Sequence, residues 1–218
     1  MLGILCGFEA EARIARLVPG ALAVSSGARP QKARWLARDL IKRGATRLLS
    51  FGIAGGLAPD LPIGSLVIAT QVKAEDGAWN CDGGWIAELT QKFPAAHCGA
   101  AWGSETIVAS AREKRTLYEK SRCLIVDMES QCAAQIAAEA AIPFAVLRAV
   151  GDTAAMAVPP VAMIAIGEDG HIRAGTALWH LARHPREIPA LIHMARGSGK
   201  AMGVLSEGAK ELNAEFSE

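Results

Sequence analysis

Apolar residues fall along this chain in short runs that alternate with stretches of helical spacing. Leu2–Phe8 is an apolar run that ends at Glu9-Ala10-Glu11, where a helix can begin. Ala21–Ser26 reads as a strand closed by Gly27. Pro30–Lys42 has proline in its first turn, apolar positions at helical spacing and basic residues on the other face, so a helix is predicted. Thr46–Phe51 is a third strand, stopped by the glycine-rich turn Gly52-Ile53-Ala54-Gly55-Gly56-Leu57, and Gly64–Val72 is a fourth. Residues 73–104, rich in Gly, Trp and Asp, read as long loops, with Trp79, Trp85 and Trp102 either lining a mouth or packing. Ala111–Lys120 predicts helix, Cys123–Val126 strand, Glu129–Ala141 helix and Phe144–Val150 strand. Met163–Ile166 and His171–Arg173 flank Glu-Asp-Gly as the arms of a hairpin would. From Gly175 the tail is helical, with a break at Pro185. This alternation predicts a single doubly wound α/β/α domain over residues 1–218, with 174–218 a helical C-terminal segment.

Composition narrows the function classes. The 218 residues suffice for a sizeable core, and 51% of them are apolar. A net charge of +1 provides no field to attract nucleic acid, so none is expected as a partner. The chain has no apolar run of the roughly eighteen residues that a spanning helix needs. Its start turns acidic at Glu9 without a basic leader, so no secretory signal is expected and a cytoplasmic location is. Cys6, Cys81, Cys98, Cys123 and Cys132 are odd in number and lack Cys-x-x-Cys spacing, which predicts reduced thiols within the core.

Two carboxylates stand where open α/β sheets place their chemistry, at the carboxyl ends of strands. Glu129, in Met128-Glu129-Ser130, closes one strand and opens a helix, whose dipole favours an ionised, hydrogen-bond-accepting side chain. Asp152 closes the next strand and is followed by small apolar residues, an environment that raises a carboxyl pKa. One anionic acceptor beside one proton donor suits sugar–base chemistry. The turn at 52–56 is not G-x-G-x-x-G, but its glycines allow close backbone approach, and its N–H groups can form an anion nest. Other features read as surface. His180 and His184 lack the intervening glutamate of a zinc site, and Lys32, Arg34 and Arg38 form a solvated helix face.

Four motifs in this order resemble the purine nucleoside phosphorylase/methylthioadenosine nucleosidase superfamily. Ser50–Ala69 resembles its signature turn and following strand. Val126-Asp127-Met128-Glu129-Ser130 resembles V-E-M-E-[SA], and Leu147–Ala154 resembles V-R-x-[IV]-S-D-x-A. Phe8-Glu9-Ala10-Glu11 resembles the N-terminal M-x-x-E of the nucleosidases. The resemblance covers about residues 1 to 155 and implies a three-layer α/β/α fold with a central mixed sheet. It also implies cleavage of a purine N-glycosidic bond in a homo-oligomer, without metal or organic cofactor. Asp152 would then protonate the purine, and Glu129 would grip the ribose hydroxyls. Met128 would pack on the ribose, with Gly52, Ile53, Ala54, Thr106 and Ile107 completing the substrate site. Glu11 matches the water-activating glutamate of the nucleosidases, whereas Ser26, Gly27 and Arg29 form a turn suited to phosphate as co-substrate. Water and phosphate both remain open at this point.

Three positions depart from the family pattern. Ile53 and Gly151 each replace a frequent Ser, and Thr106 replaces an aromatic. Ser26–Pro30 and the tail around Ala177-Leu178-Trp179 and His184–Leu191 resemble the hopanoid-associated phosphorylase branch, which implies release of adenine from adenosylhopane. The apolar run 154–163 would then face the lipid. A stripe of Ile188, Leu191, Ile192, Ala195 and Met202, with Arg186, Arg196 and Lys200 beside it, would meet the inner membrane surface, the sheet or a second subunit. Two alternatives are a methylthioadenosine/S-adenosylhomocysteine nucleosidase and a non-catalytic nucleoside binder on the same fold.

Overall fold

Strand and helix alternate through most of the chain, with strands β1 (Leu2–Cys6), β2 (Ala21–Ser25), β3 (Arg47–Gly56), β4 (Leu66–Ala74), β5 (Gly77–Asn80), β6 (His97–Gly103), β7 (Ile125–Asp127) and β8 (Phe144–Asp152). The helices are α1 (Glu9–Ala15), α2 (Pro30–Lys42), α3 (Gly83–Lys92), α4 (Ala111–Ser121), α5 (Ser130–Glu139), α6 (Pro160–Ala165), α7 (Ala174–Arg183) and α8 (Ile188–Asn213). The structure, a computed structural model, describes residues 1–165 and 174–213.

The sheet is mixed. β1 lies parallel between β2 and β3, and β3 is parallel to β8. β8 runs antiparallel to β4, β4 parallel to β6, β6 parallel to β7, and β7 antiparallel to β3. Strands β3, β8, β4, β6 and β7 therefore close into a ring of pairings, with β2–β1 and β5 extending from it. Helices cover both faces. Residues of α2 and α5 share one core with the sheet, and residues of α1, α3 and α8 share the other. This is the expected three-layer α/β/α architecture around a mixed sheet. The closure is additional, because apolar runs carry no pairing direction.

Four expectations need correction. The segment 73–104 is not loop but contains β5, α3 and β6. Helix α3 opens with two glycines and is held by the Asp82 side chain, which accepts the Trp85 N–H at 2.8 Å, and by burial of Trp85 and Leu89. β6 reads His-Cys-Gly-Ala-Ala-Trp-Gly, with no β-branched residue, and owes its state to ladders with β4 and β7. Accordingly Trp79 lies on β5, Trp85 is buried in α3, and Trp102 is buried on β6. The glycine-rich stretch 52–56 is not a turn that ends β3 but its last half, paired to β8 on one side and β7 on the other. Met163 and Ile164 belong to α6, so the proposed hairpin has no first strand, and its second arm lies outside the described residues. Cys98 is exposed, unlike the other four cysteines.

The C-terminal helix packs through a different stripe from the one expected. Ala201, Leu205, Ala209 and Leu212 of α8 are buried in the core, whereas Ile188 and Ile192 are exposed. The buried positions recur at the three- and four-residue spacing of one helical face. Among the described residues no helix is long and apolar enough to cross a membrane.

Leu205→Ala removes a fully buried side chain from this stripe and should cost about 2–5 kcal/mol in urea unfolding. Ile192→Ala, at an exposed position, should stay within about 0.5 kcal/mol. Equal losses would mean that α8 docks through another face.

Candidate active site

One buried arginine gathers the carboxylates. Arg148 on β8 is fully buried, and its register partner on β3 is Gly52. A Cβ at Gly52 would come within 2.8 Å of Arg148 Nη1 and 2.7 Å of the Glu11 carboxyl, so only glycine leaves room for both. Arg148 Nη2 donates to Ser50 Oγ at 2.7 Å, Glu129 Oε2 at 3.2 Å and Asp127 Oδ1 at 3.4 Å. Nη1 donates to the Ile53 carbonyl at 3.3 Å.

Local structure aims each acid at this centre. Glu11 sits at the third position of α1, and its Oε2 reaches back to accept the Phe8 N–H at 2.8 Å, the carboxylate half of a capping box. Its Oε1 accepts the Ile53 N–H at 2.8 Å. The anion at the glycine-rich segment is therefore the chain's own Glu11. Asp127 holds the start of α5 by accepting the Glu129 and Ser130 N–H groups at 2.9 and 2.7 Å and the Ser130 hydroxyl at 2.6 Å. Glu129 is thereby fixed as the residue that opens α5, and Ser26 donates its hydroxyl to Glu129 Oε1 at 3.1 Å. The two glutamates converge at Gly7, where a Cβ would lie 3.2 Å from Glu129 Oε2 and 3.3 Å from Glu11 Oε2.

Burial outweighs the helix dipole here. Glu129 is pushed up to about 7, mainly by loss of solvent. Arg148 works against the rise, and Asp127 and Glu11 add to it. The expectation that the helix start keeps Glu129 in the ordinary carboxylate range is thus corrected. Burial likewise raises Glu11, against Arg148 and three backbone donors. For Arg148 burial favours discharge, but Asp127, Glu129 and Glu11 more than offset it and hold the cation.

Asp152 ends β8 opposite Gly55, on the other side of β3 from Val126 of β7. Its carboxyl is raised by burial, as its apolar neighbours suggested, and Lys114 opposes the rise. Lys114, almost fully buried on α4, pairs with Asp152 Oδ2.

The remaining candidates divide into two groups. Met128 is half-buried beside Glu129, and Ala54 is buried in the core. Thr106 and Ile107 line a cleft of about 720 Å³ together with Trp102, Glu105 and Gln131. Gly27 and Ala28 take positive φ angles of 72° and 55° and turn the chain from β2 into α2, with Arg29 at the head of that helix. The Ser26 hydroxyl of this turn points to a carboxylate. Of the expected surface residues, Arg34 and Arg38 reach Glu105 and Glu139, and the rings of His180 and His184 stack at 4.4 Å. Among the described residues no cluster of three or more His, Cys, Asp or Glu is placed to hold a metal ion.

Sequence reasoning assigned no role to Arg148, Asp127, Ser50, Ser130 or Lys114. Arg148 and Asp127 lie inside the quoted motifs, so a buried charge in an apolar strand was the available signal. Lys114 had a weaker one. Ser110-x-x-Glu113 is a capping box, with N–H···O distances of 3.1 and 2.9 Å, and it fixes the start of α4 at Ala111, three residues before Lys114.

The departures at 53 and 151 explain each other. A Cβ at Gly151 would approach Ile53 Cγ2 to 2.4 Å, so the isoleucine fills the space that a serine at 151 would require.

Comparison with known proteins agrees with this architecture. The family model described as the phosphorylase superfamily matches residues 20–168. A 5′-methylthioadenosine/S-adenosylhomocysteine nucleosidase of Baumannia cicadellinicola is 27% identical over 132 residues, 50% of this chain. The match spans 58% of that relative's length. The S-adenosylhomocysteine nucleosidase of Streptococcus pyogenes superposes with a TM-score of 0.74 at 19% identity, covering 100% of this chain and 97% of its own. The methylthioadenosine/S-adenosylhomocysteine nucleosidase of Neisseria meningitidis gives 0.75 at 16% identity, with 98% of each chain covered. The futalosine hydrolase of Helicobacter pylori gives 0.74 at 17% identity, covering 98% and 97%. At these identities the superpositions establish the fold.

The raised Glu129 carboxyl sets a stability trend with pH. Its folded pKa, about 7, lies above the ordinary 4.5, so the protonated form favours folding, and that contribution is lost as pH rises between the two values. Glu129→Gln removes the titration. Melting curves should show the wild type losing stability relative to the variant from about pH 4.5 to 7. A flat difference across that window would place Glu129 in solvent.

Proposed function

This chain belongs to the phosphorylase superfamily, and from that premise we propose that it hydrolyses the N-glycosidic bond of a purine nucleoside, in the manner of the methylthioadenosine/S-adenosylhomocysteine nucleosidases it matches. The observation that carries this reading is the convergence of Glu11 and Glu129 on one point around Arg148. Cleavage builds positive charge on the ribose, and a pair of buried carboxylates stabilises such a cation strongly because little water screens it. The same pair repels a phosphate dianion. Arg148, the cation at the cluster, already donates to Ser50, Asp127, Glu129 and the Ile53 carbonyl. Neutral water meets no such repulsion.

The roles then follow. Glu129 accepts the ribose hydroxyls, in competition with Ser26 and Arg148, and Met128 packs beside it. Water attacks C1′ as the bond to N9 breaks. Glu11 takes the proton from that water, and Asp152 gives its proton to purine N7, so the base leaves neutral. Retention of both a proton acceptor and a proton donor favours catalysis over simple binding.

A second reading, release of adenine from a lipid-linked adenosine, rests on the apolar segment after Asp152. Ala154, Met156 and Val158 remain half-buried there. Of the stripe that would accompany it, Ile188, Ile192 and Ala195 are exposed and Leu191 and Met202 half-buried, while α8 docks through Ala201, Leu205, Ala209 and Leu212.

Purified protein incubated with methylthioadenosine, with and without phosphate, should release adenine and free sugar at a phosphate-independent rate. Glu11→Gln should abolish that release. Asp152→Asn, nearly isosteric, should slow it by at least about 10²-fold while the protein stays folded. A sugar phosphate product that requires added phosphate would replace hydrolysis by phosphorolysis. If only a lipid-linked adenosine is cleaved, and Met156→Asp weakens that alone, the second reading takes over.

A further inference from the structure

Lys114 is the one lysine of α4 that is buried, and it lies 38 residues from the carboxylate it meets. Its Nζ has three donors and three acceptors: Asp152 Oδ2, the Thr153 carbonyl at 3.0 Å and the Met156 carbonyl at 3.0 Å. Burying an ammonium is unfavourable unless it is paired and fully hydrogen-bonded, and both conditions are met. The same segment is tied to the loop before α4, because the Val158 N–H donates to the Ala109 carbonyl at 2.8 Å. Helix α4, the end of β8 and residues 153–158 are thus one linked unit with Lys114 at its centre.

We propose that Lys114 is the positioning residue for Asp152: by occupying Oδ2 it leaves Oδ1 as the oxygen available to the purine. Oδ1 is the atom turned towards Gly55, lying 3.4 Å from where a Cβ there would be, against 3.8 Å for Oδ2. Glycine at 55 adds no side chain between Asp152 Oδ1 and Val126, whose Cγ1 would lie 3.3 Å from a Cβ there. Other charges on the elements packed around this end of β8 face elsewhere. Arg148, on the same strand, turns to Glu11 and Glu129, Lys200 of α8 lies along Gly64, and Glu113 of α4 caps its own helix at Ser110. Among the described residues Lys114 is therefore the cation that bears on the acid, and the direction of its effect is fixed. It opposes the upward push of burial and keeps the proton on Asp152 easier to give.

The catalytic part of this inference rests on the nucleosidase reading, but the test does not. The Asp152 carboxyl carbon is followed by ¹³C NMR as pH is varied, its signal assigned by its loss in Asp152→Asn. Lys114→Gln keeps hydrogen-bond donors and removes the charge. It should raise the Asp152 midpoint by at least about one pH unit, and Lys114→Arg should restore it towards wild type. Asp152 acts protonated, so cleavage falls as pH rises through its pKa. The alkaline limb of kcat/KM should then move upward in Lys114→Gln by the same amount. A folded Lys114→Gln protein with an unchanged midpoint overturns the proposal. Should that variant not fold, a crystal structure of the wild type decides. Nζ on Oδ2 with Oδ1 towards Gly55 supports the proposal, and a carboxylate turned away from Lys114 overturns it. If the wild type cleaves no purine nucleoside, the hydrolase reading fails, while the NMR midpoints still report on Lys114.

Discussion

The site depends on a charge imbalance that the fold keeps out of water. Arg148 is a single guanidinium surrounded by Asp127, Glu129 and Glu11, all buried. One cation cannot neutralise three ionised carboxylates, so at least one of them must hold a proton or sit at high energy. Burial raises Glu129 to about 7, and the neighbouring charges of Asp127 and Glu11 add to that rise. In the reaction proposed here, a ribose that develops positive charge would relieve the imbalance. On that proposal the least comfortable group of the resting protein would become comfortable as the reaction proceeds, which is differential stabilisation of the transition state in electrostatic form.

Secondary structure supplies that arrangement cheaply. The start of α1 aims Glu11, the Asp127 cap aims Glu129, and glycine at 52 clears the path for Arg148. β8 is hydrogen-bonded to β3 and β4 on its two sides and carries both Arg148 and Asp152. The arginine that gathers the carboxylates and the candidate acid Asp152 are therefore held on one strand within a closed ring of strands. Their separation is set by backbone ladders, and side-chain packing has little part in it.

The sequence disclosed the strands and helices with strong periodicity and the acids at their ends. Pro30–Lys42 carries a proline start, a clean apolar face and a basic face, and α2 has those bounds. It misled where tertiary pairing overrode local preference. β6 has almost no strand-forming residues, and α3 begins on two glycines. Glycines 52 to 56 looked like punctuation but lie within a strand, because close neighbours on both sides require residues without side chains. The candidate acids were visible because strand ends are where such folds place chemistry. Their partners were not. Neither Arg148 nor Lys114 can be assigned without knowing which elements face each other, since Lys114 and Asp152 are joined only through the packing of α4 on the loop after β8.

The mutual fit of Ile53 and Gly151 bears on how such a site can change over evolutionary time. Adding a side chain at 151 while Ile53 is present forces a collision that costs about 1–3 kcal/mol. Cutting residue 53 back so that Cγ2 is gone removes the collision and leaves a void beside a half-buried position. The two replacements are therefore ordered. A lineage moving towards hydroxyls at these positions avoids the collision by shrinking residue 53 before enlarging residue 151. The reverse path, from hydroxyls at both positions to the present pair, avoids it by emptying 151 before filling 53.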